Sequence, residues 1–178
     1  MKYRLFALLI LLVVFCTSLA HTEEFKAIGS VAVYYSPKGG ATQAVVKEVA
    51  SARSEILVQA YSFTSAPIAK ALVDAKKRGV KVEVVLDKSQ RSAKYTSADF
   101  VAHAGIPTWI DSVHAIAHNK IMIIDKATLI TGSFNFTKAA EEKNAENLLV
   151  IKGNKPLVDR YIKNFEEHKG HSEEYQGK

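Results

Sequence analysis

The feature that most constrains the fold is an alternation of short β-prone runs with amphipathic helical segments in the first half of the chain. Segments beginning at Ala41 and Ser65 carry apolar side chains at helical spacing, and the Ser65 hydroxyl with Pro67 is typical of a capped helix start. Three apolar runs predict strands: Val31–Tyr35, Glu55–Tyr61 and Val80–Leu86. Because the connections are short, we expect βαβ units in an α/β domain with a mixed, largely parallel β-sheet sandwiched between helices.

The second half predicts more strands and two more helices. Residues 97–104 predict a short helix, and Asn154 is placed to cap a final helix with Pro156 in its first turn. The polar tail after Gly170 is expected to be loose. Four runs predict strands, the first of them at a sheet edge: Ile106–Ile110, Ile121–Ile124, Thr128–Thr131 and Asn147–Ile151. The uniformly apolar run 121–124 indicates a central strand that is covered on both faces.

A polar cluster is predicted where the strand Ile121–Ile124 begins. His118 and Lys120 are two residues apart, so on an extended strand they point to the same face. Ser133 and Asn135 have the same spacing and follow the neighbouring strand. Since a short hairpin joins the two strands, we expect these four side chains to lie close together.

These residue types suit chemistry at a phosphate group. A neutral imidazole at His118 can attack phosphorus, and the resulting phosphohistidine divides one difficult displacement into two easier ones. Lys120 and the amide of Asn135 can donate to the non-bridging oxygens, where negative charge builds up. A carboxylate usually orients such an imidazole, and either Glu146 or Asp125 is a candidate for this role. The spacing alone does not choose between them.

The remaining ionisable residues give no sign of a metal or a cofactor. His103, His114, His168 and His171 have no comparable neighbours in the sequence, so we interpret them as ordinary surface or packing histidines. No HExxH motif, EF-hand or acidic ligand cluster is present. Cys16 is the single cysteine, and it lies in the N-terminal apolar run. We therefore expect neither a metal nor a cofactor, and no disulfide.

The N-terminus has the pattern of a secretory signal peptide. Two positive charges precede an apolar run, and Ser18 and Ala20 supply the small residues of a cleavage site. We expect residues 1–20 to be removed, leaving a single catalytic domain, 21–178, in the periplasm or outside the cell without stable membrane association. The remaining part has 22 Lys and Arg against 18 Asp and Glu, a mildly basic balance that permits a polyanionic partner.

A basic loop follows the third predicted strand. It contains Lys88, Arg91, Lys94 and Tyr95 among hydroxyl and amide side chains. One interpretation is a solvated loop of no special function. The other is a surface that follows a nucleic-acid backbone through its cations, with Tyr95 available for stacking on a base.

The pattern His118-x-Lys120-x4-Asp125-x6-Gly132-Ser133-x-Asn135 resembles the HKD signature of the phospholipase D superfamily. The similarity extends over residues 31–165, and the chain is similar to small bacterial endonucleases of that superfamily with one motif. The resemblance implies that His118 is the nucleophile and that Lys120, Ser133 and Asn135 bind the phosphate. It also implies that Glu146 hydrogen-bonds a histidine and that Asp125 has a supporting role.

A single motif implies a homodimer. Two-step transfer needs a nucleophile on one side of phosphorus and an acid on the other, which a single His118 does not provide. The resemblance therefore implies a composite site on a two-fold axis. We expect a metal-independent endonuclease without sequence specificity that acts on DNA and possibly RNA. The alternatives are hydrolysis of phospholipid head groups, and a nucleic-acid-binding module with an idle site.

Overall fold

The computed structural model describes residues 23–26, 29–93 and 96–178, and these residues form an eight-stranded sheet with helices on both faces. The strands are β1 (Ser30–Ser36), β2 (Glu55–Ala60), β3 (Lys81–Asp87), β4 (Thr108–Asp111), β5 (Lys120–Ile124), β6 (Thr128–Gly132), β7 (Glu146–Lys152) and β8 (Glu173–Glu174). The helices are α1 (Ala41–Ser51), α2 (Ala66–Lys77), α3 (Ala98–His103), α4 (Lys138–Glu142) and α5 (Lys155–Gly170), with a 3₁₀ helix at Lys88–Arg91. The strand order is β1-β7-β6-β5-β2-β3-β4-β8.

The mixed α/β sheet is confirmed, but the prediction that it is largely parallel is wrong. Within the described residues, only the β2–β3 and β3–β4 pairings between strands are parallel, and the other five are antiparallel. The βαβ rule applies to β2, β3 and β4, whose connections contain helices. In contrast, β1 pairs with β7 at the far edge, and β5 returns antiparallel beside β2. The short turn 125–127 then makes β5 and β6 antiparallel.

Alternating side chains of the central strands fill two hydrophobic clusters, one on each face of the sheet. In β5, Met122 and Ile124 pack with residues of α1, α2 and α3, whereas Ile121 and Ile123 pack with α5 through side chains such as Phe165. All four apolar side chains of β5 are buried, which explains the uniformly apolar run and confirms the predicted central strand. Each fully buried side chain of this size contributes about 1.5–3 kcal/mol to stability.

The helix ends follow the sequence signals only in part. The Asn154 side chain accepts a hydrogen bond of 3.3 Å from the Leu157 N–H, as predicted for a cap of α5. Ser65 lies at the cap position of α2 but makes no side-chain cap hydrogen bond, so the predicted hydroxyl cap is wrong. Helix α4 was not predicted, and Thr137 caps it by accepting from the Ala140 N–H at 3.0 Å.

The tail after Gly170 is ordered, contrary to expectation. Its strand β8 pairs with β4, so β4 is not the outermost strand of the sheet. Tyr175 is buried in the α1–α3 cluster, and its hydroxyl donates to the Asp99 carboxylate. Burial and this hydrogen bond raise the pKa of Tyr175 to about 12. One buried aromatic side chain therefore anchors a tail whose other residues are polar.

The predictions of a signal peptide, of export and of no stable membrane association depend mainly on the N-terminal residues. Among the helices of the described segments, none has the length and apolar character needed to cross a bilayer. The predicted signal sequence, residues 1–20, lies outside the described residues together with Cys16. Export therefore stays a prediction.

Candidate active site

The predicted polar residues lie together along the edge of the sheet that is formed by strand ends, here called the functional edge. Strands β2, β3 and β4 end at this edge, and β5 begins there because it runs antiparallel to β2. Lys120, the first residue of β5, pairs with Ala60, the last residue of β2. Extending the β5–β6 register places Lys120 opposite Gly132, which itself pairs with Leu148 near the start of β7. The same edge therefore carries His118, Lys120, Ser133, Asn135 and Glu146.

His118 is exposed on a backbone that is fixed on both sides. The preceding N–H, of Ala117, donates to the buried Asp87 carboxylate at 2.8 Å. The following carbonyl, of Asn119, accepts from the Tyr61 N–H at 2.8 Å. The imidazole lies beside the Tyr61 ring, with 4.5 Å between the ring centroids and 55° between the planes. An accessible imidazole with a restricted position is what a nucleophile at this edge requires.

Lys120 is buried directly behind this imidazole. Its side chain is 8% exposed, and its Nζ donates to the His118 carbonyl at 2.8 Å. The same Nζ lies 5.1 Å from the centroid of the Tyr61 ring, within the range of a cation–π interaction. Burial lowers the pKa of the Lys120 ammonium, and the negative charge of Glu146 opposes part of that shift. Lys120 is thus a positioned cation at the sheet edge.

The turn at Gly132 places Ser133 at the same edge of the sheet. Gly132 has a φ of +143°, and a Cβ at this position would lie 2.3 Å from the carbonyl oxygen of Asn147, so a larger residue would have to displace the backbone. The Ser133 hydroxyl accepts from the Asn147 N–H at 3.0 Å. Among the residues that the structure describes, no acceptor takes the proton of this hydroxyl, so it can be donated to a ligand.

Asn135 is positioned by two buried aromatic side chains. Phe134 and Phe136 are fully buried on either side of it, so the alternation of an extended chain turns Ser133 and Asn135 away from that core. The amide oxygen of Asn135 is buried and has no hydrogen-bond partner among the described residues. This oxygen is an acceptor, so it can take a hydrogen bond only from a donor, whereas a phosphate oxygen would be bound by the NH2 group of the same amide.

Glu146 is the carboxylate close to the cluster. It begins β7, is half-buried, and accepts from Nδ2 of Asn144 at 3.2 Å. Its charge acts on Lys120, as the direction of the Lys120 pKa shift indicates. Within the described residues, no side chain hydrogen-bonds the His118 imidazole, so the orienting role implied for Glu146 stays a prediction.

Asp125 lies at the opposite end of β5 and does not join the cluster. All five residues of β5 lie between Asn119 and Asp125, and the seven residue steps from His118 to Asp125 span roughly 23 Å along an extended chain. Its carboxylate accepts hydrogen bonds from the backbone N–H groups of Arg53, Ser54 and Glu55 and from the Ser54 hydroxyl, at 2.8 to 3.2 Å. Asp125 is therefore not the carboxylate that orients His118, and its place among the catalytic residues is corrected to a structural one.

The comparison with known proteins shows the family to which the chain belongs. Residues 45–169, which include His118, Lys120, Ser133, Asn135 and Glu146, match the protein family described as "Cardiolipin synthase, PLD-like domain". The chain belongs to the phospholipase D-like family. The HKD resemblance is thereby confirmed at the level of the family.

Relatives in this family have several names. A protein named Phospholipase D from Rickettsia bellii is 42% identical over 135 residues, which is 76% of this chain and 67% of that protein. The mitochondrial cardiolipin hydrolase of Mus musculus is 30% identical and matches 68% of this chain and 55% of its own length. The chain thus spans about two thirds of the Rickettsia relative and about half of the mouse relative.

Solved structures confirm the phospholipase D-like fold. The crystal structure of Nuc from Salmonella typhimurium, described as a phospholipase D family member, superposes with a TM-score of 0.80 and 41% identity, covering 83% of this chain and 99% of Nuc. NucT from Helicobacter pylori has a TM-score of 0.74 and covers 82% of this chain and 99% of NucT. At 21% identity, the NucT likeness shows the fold alone.

The predicted basic loop lies at the same sheet edge as the phospholipase D-like site, but the two of its cations that the structure describes already have partners. Lys88 donates from Nζ to the His114 carbonyl at 3.0 Å, and Arg91 forms an exposed ion pair with Glu173. Lys94 and Tyr95 lie outside the described residues. A nucleic-acid-binding role for this loop therefore stays a prediction.

Sequence reasoning missed several residues that shape the site. Tyr61 and Asp87 each stand at the end of a strand that finishes at the functional edge, and that position was the available signal. A second group was misinterpreted. His114, His168 and His171 are not isolated histidines, because their rings converge on the buried Asp111 carboxylate. The repeated three-residue spacing, Asp111 to His114 and His168 to His171, was visible in the sequence.

Proposed function

We propose that this protein is a phosphodiesterase that hydrolyses nucleic-acid phosphodiester bonds without sequence specificity through a phosphohistidine intermediate. The observation that carries the proposal is the convergence of an exposed His118 with Lys120, Ser133 and Asn135 at one sheet edge. This set combines a nucleophile with several donors for phosphate oxygens, and membership of the phospholipase D-like family supports it.

The reaction has two displacements. In the first, an imidazole nitrogen of His118 attacks phosphorus, and the bond from phosphorus to the leaving oxygen breaks as a protonated imidazole gives that oxygen its proton. In the second, water attacks the phosphohistidine, loses a proton to the imidazole that acted as acid, and releases the His118 nitrogen. Lys120 and Asn135 stabilise the charge on the non-bridging oxygens in both steps.

The acid in this scheme is His118 of the partner subunit. The described chain supplies one motif histidine, while in-line displacement needs groups on opposite faces of phosphorus. A two-fold axis through the site would place two copies of the same edge around one phosphodiester. Exposed apolar side chains next to the nucleophile support such a contact, because Val113 is 65% exposed and Ile116 is 59% exposed in the segment leading to His118.

Two observations support nucleic acid as the substrate. The basic 3₁₀ helix with Lys88 and Arg91 follows β3 at the functional edge, one strand beyond β2. With residues 1–20 removed, 22 Lys and Arg against 18 Asp and Glu leave a formal net charge of +4. Backbone contacts by cations give affinity without sequence preference.

A second candidate is hydrolysis of a phospholipid head group. It is favoured by the names of two relatives, Phospholipase D and mitochondrial cardiolipin hydrolase. The exposed side chains of Val113 and Ile116, in the segment that precedes His118, would suit a lipid surface as well as a dimer. The phosphorus chemistry is the same for both substrates, so only the assay separates them.

The deciding experiment compares both substrates on one purified preparation. Plasmid DNA and cardiolipin-containing vesicles are incubated with wild type and with His118→Asn, in the presence of excess EDTA. The proposal expects EDTA-resistant DNA cleavage that exceeds lipid hydrolysis and requires His118. Faster release of lipid products would establish the second candidate, and DNA binding without any hydrolysis would establish an idle binding module.

Export is a separate part of the proposal. The pattern of residues 1–20 supports cleavage after Ala20 and delivery to the periplasm or the exterior. Expression of the full chain in a Gram-negative host, followed by fractionation and N-terminal mass determination, tests it. A protein that keeps Met1 and stays in the cytoplasm would contradict it.

A further inference from the structure

A second cluster of side chains lies on the same edge of the sheet, beyond the phosphate site. Asp111 ends β4, His114 lies in the loop that leads to β5, and His168 and His171 lie at the C-terminal end of α5. Three sheet spacings separate β4 from β5, which is roughly 14 Å. The cluster is therefore too far from His118 to share a phosphate with it.

The ligand atoms of this cluster converge on one point. Nδ1 of His168, Nδ1 of His114 and Nε2 of His171 lie 2.7, 2.9 and 3.3 Å from the same oxygen, Oδ2 of Asp111. One ligand atom from each of the four residues can be chosen so that all lie within 4.8 Å of one another. A cation at the centre needs only small side-chain movements to reach all four.

The arrangement of the imidazole rings matches tetrahedral coordination. With zinc–nitrogen bonds of about 2.0–2.1 Å and ring centres roughly 1.1 Å beyond the nitrogen, tetrahedral angles place ring centres about 5 Å apart. The observed separations are 4.8 Å for His114 and His168, 5.2 Å for His114 and His171, and 5.3 Å for His168 and His171. The three rings therefore already lie at separations that a tetrahedral zinc ion would require.

The surroundings hold the carboxylate ready for a metal. Asp111 is fully buried, and its Oδ1 accepts from the Val113 N–H at 3.1 Å, so that Oδ2 faces the three histidines. Such outer hydrogen bonds orient metal ligands. The His168, His171 and His114 side chains are 14%, 34% and 44% exposed, so an ion can enter from solvent.

We propose that Asp111, His114, His168 and His171 bind a transition-metal dication, with Zn²⁺ the best match. Three imidazoles and one carboxylate are ligands that Zn²⁺ accepts in tetrahedral geometry. Mg²⁺ and Ca²⁺ prefer oxygen ligands and more of them. Because four protein groups fill the coordination shell, the site is structural. It joins the end of α5 to the loop that carries His118, four residues after His114.

The site does not conflict with metal-independent hydrolysis. In the metal-free protein, hydrogen bonds between Asp111 and the three imidazoles hold the same segments together. A chelator would therefore remove stability that the ion adds, without removing a group from the phosphate site. The metal-binding experiment measures the bound ion directly. Absence of metal binding would not affect the proposed hydrolase activity, and absence of hydrolysis would not affect the proposed metal site.

Metal binding is tested on tag-free protein that has been stripped with chelator and dialysed. Titration with Zn²⁺ by calorimetry, metal content by mass spectrometry and the visible absorption of a Co²⁺ complex are measured for wild type, His168→Ala and His171→Gln. His103→Ala is the matched control, because His103 is an exposed histidine outside the cluster.

The proposal expects about one ion per chain, tetrahedral Co²⁺ absorption and a rise in Tm with Zn²⁺ for wild type and His103→Ala. Either cluster variant should bind more than about 100-fold more weakly, since even loss of a group that orients a ligand typically costs 10- to 100-fold. Absence of stoichiometric binding by wild type would overturn the proposal. Equal affinity in the cluster variants, which would mark adventitious surface binding, would also overturn it.

Discussion

The imidazole of His118 and the ring of Tyr61 lie with their centroids 4.5 Å apart and their planes at 55°, so the Tyr61 ring restricts the movement of that imidazole. Tyr61→Ala should therefore lower kcat by about 10- to 100-fold, because a nucleophile free to turn spends less time aligned with phosphorus. Tyr61→Phe keeps the ring and should retain most of the activity. Steady-state cleavage assays on both variants check this, and equal losses would show that the phenol oxygen, not the ring, matters.

Lys120 is predicted to stabilise charge on the phosphate. Lys120→Gln should reduce kcat by about 100- to 1000-fold, as is typical when one donor to a developing negative charge is removed. Lys126→Gln is the control, since Lys126 is an exposed lysine at the opposite end of β5. Single-turnover measurements distinguish a slower chemical step from weaker binding. A change in KM alone would contradict the assigned role.

The position of Asp125 in the motif pattern has a structural explanation, and it predicts an effect on stability rather than on reaction rate. Asp125→Asn should lower the free energy of unfolding by about 1–2 kcal/mol, because a charged acceptor of several backbone N–H groups is lost. Activity per folded molecule should be unchanged. Asp159→Asn, which alters an exposed ion pair with Lys155, should change stability little. Denaturant titration measures both.

The same carboxylate predicts a pH dependence. Burial by itself raises the pKa of Asp125, but the hydrogen bonds from Glu55, Ser54 and Arg53 outweigh it and hold that pKa below the ordinary value of 3.8. A lowered pKa in the folded state means that the stabilisation is present above about pH 4 and is lost as the pH falls through the folded-state value. The stability difference between wild type and Asp125→Asn should therefore narrow below pH 4. A difference that widens in acid would contradict this assignment.

Much of the site was predictable because its signals are local. The two-residue spacings of His118 with Lys120 and of Ser133 with Asn135 put the two members of each pair on the same face of an extended chain. The short turn 125–127 makes the strands antiparallel. The position of β1 beside β7 was not predictable, since strand order depends on long-range pairing. The grouping of Asp111 with His168 also depends on where α5 ends, 57 residues away in sequence.

The dimer interface is predicted to include the exposed apolar side chains before the nucleophile. Val113→Glu would place a charge in that contact, so the protein should have monomer mass in solution and lose activity at low concentration. Phe100→Glu is the matched control, because Phe100 is 52% exposed on α3, away from this segment. Light scattering with parallel activity assays measures both effects. An unchanged mass for Val113→Glu would move the interface elsewhere.

The most direct test of the composite site is a mixing experiment. Wild type and His118→Asn chains are combined at known ratios, unfolded and refolded together, and DNA cleavage is measured against the wild-type fraction. If each site needs His118 from both subunits, mixed dimers are inactive and activity follows the square of that fraction, so an equal mixture retains about one quarter of the activity. Activity proportional to the wild-type fraction would show that one His118 is sufficient and would contradict the account.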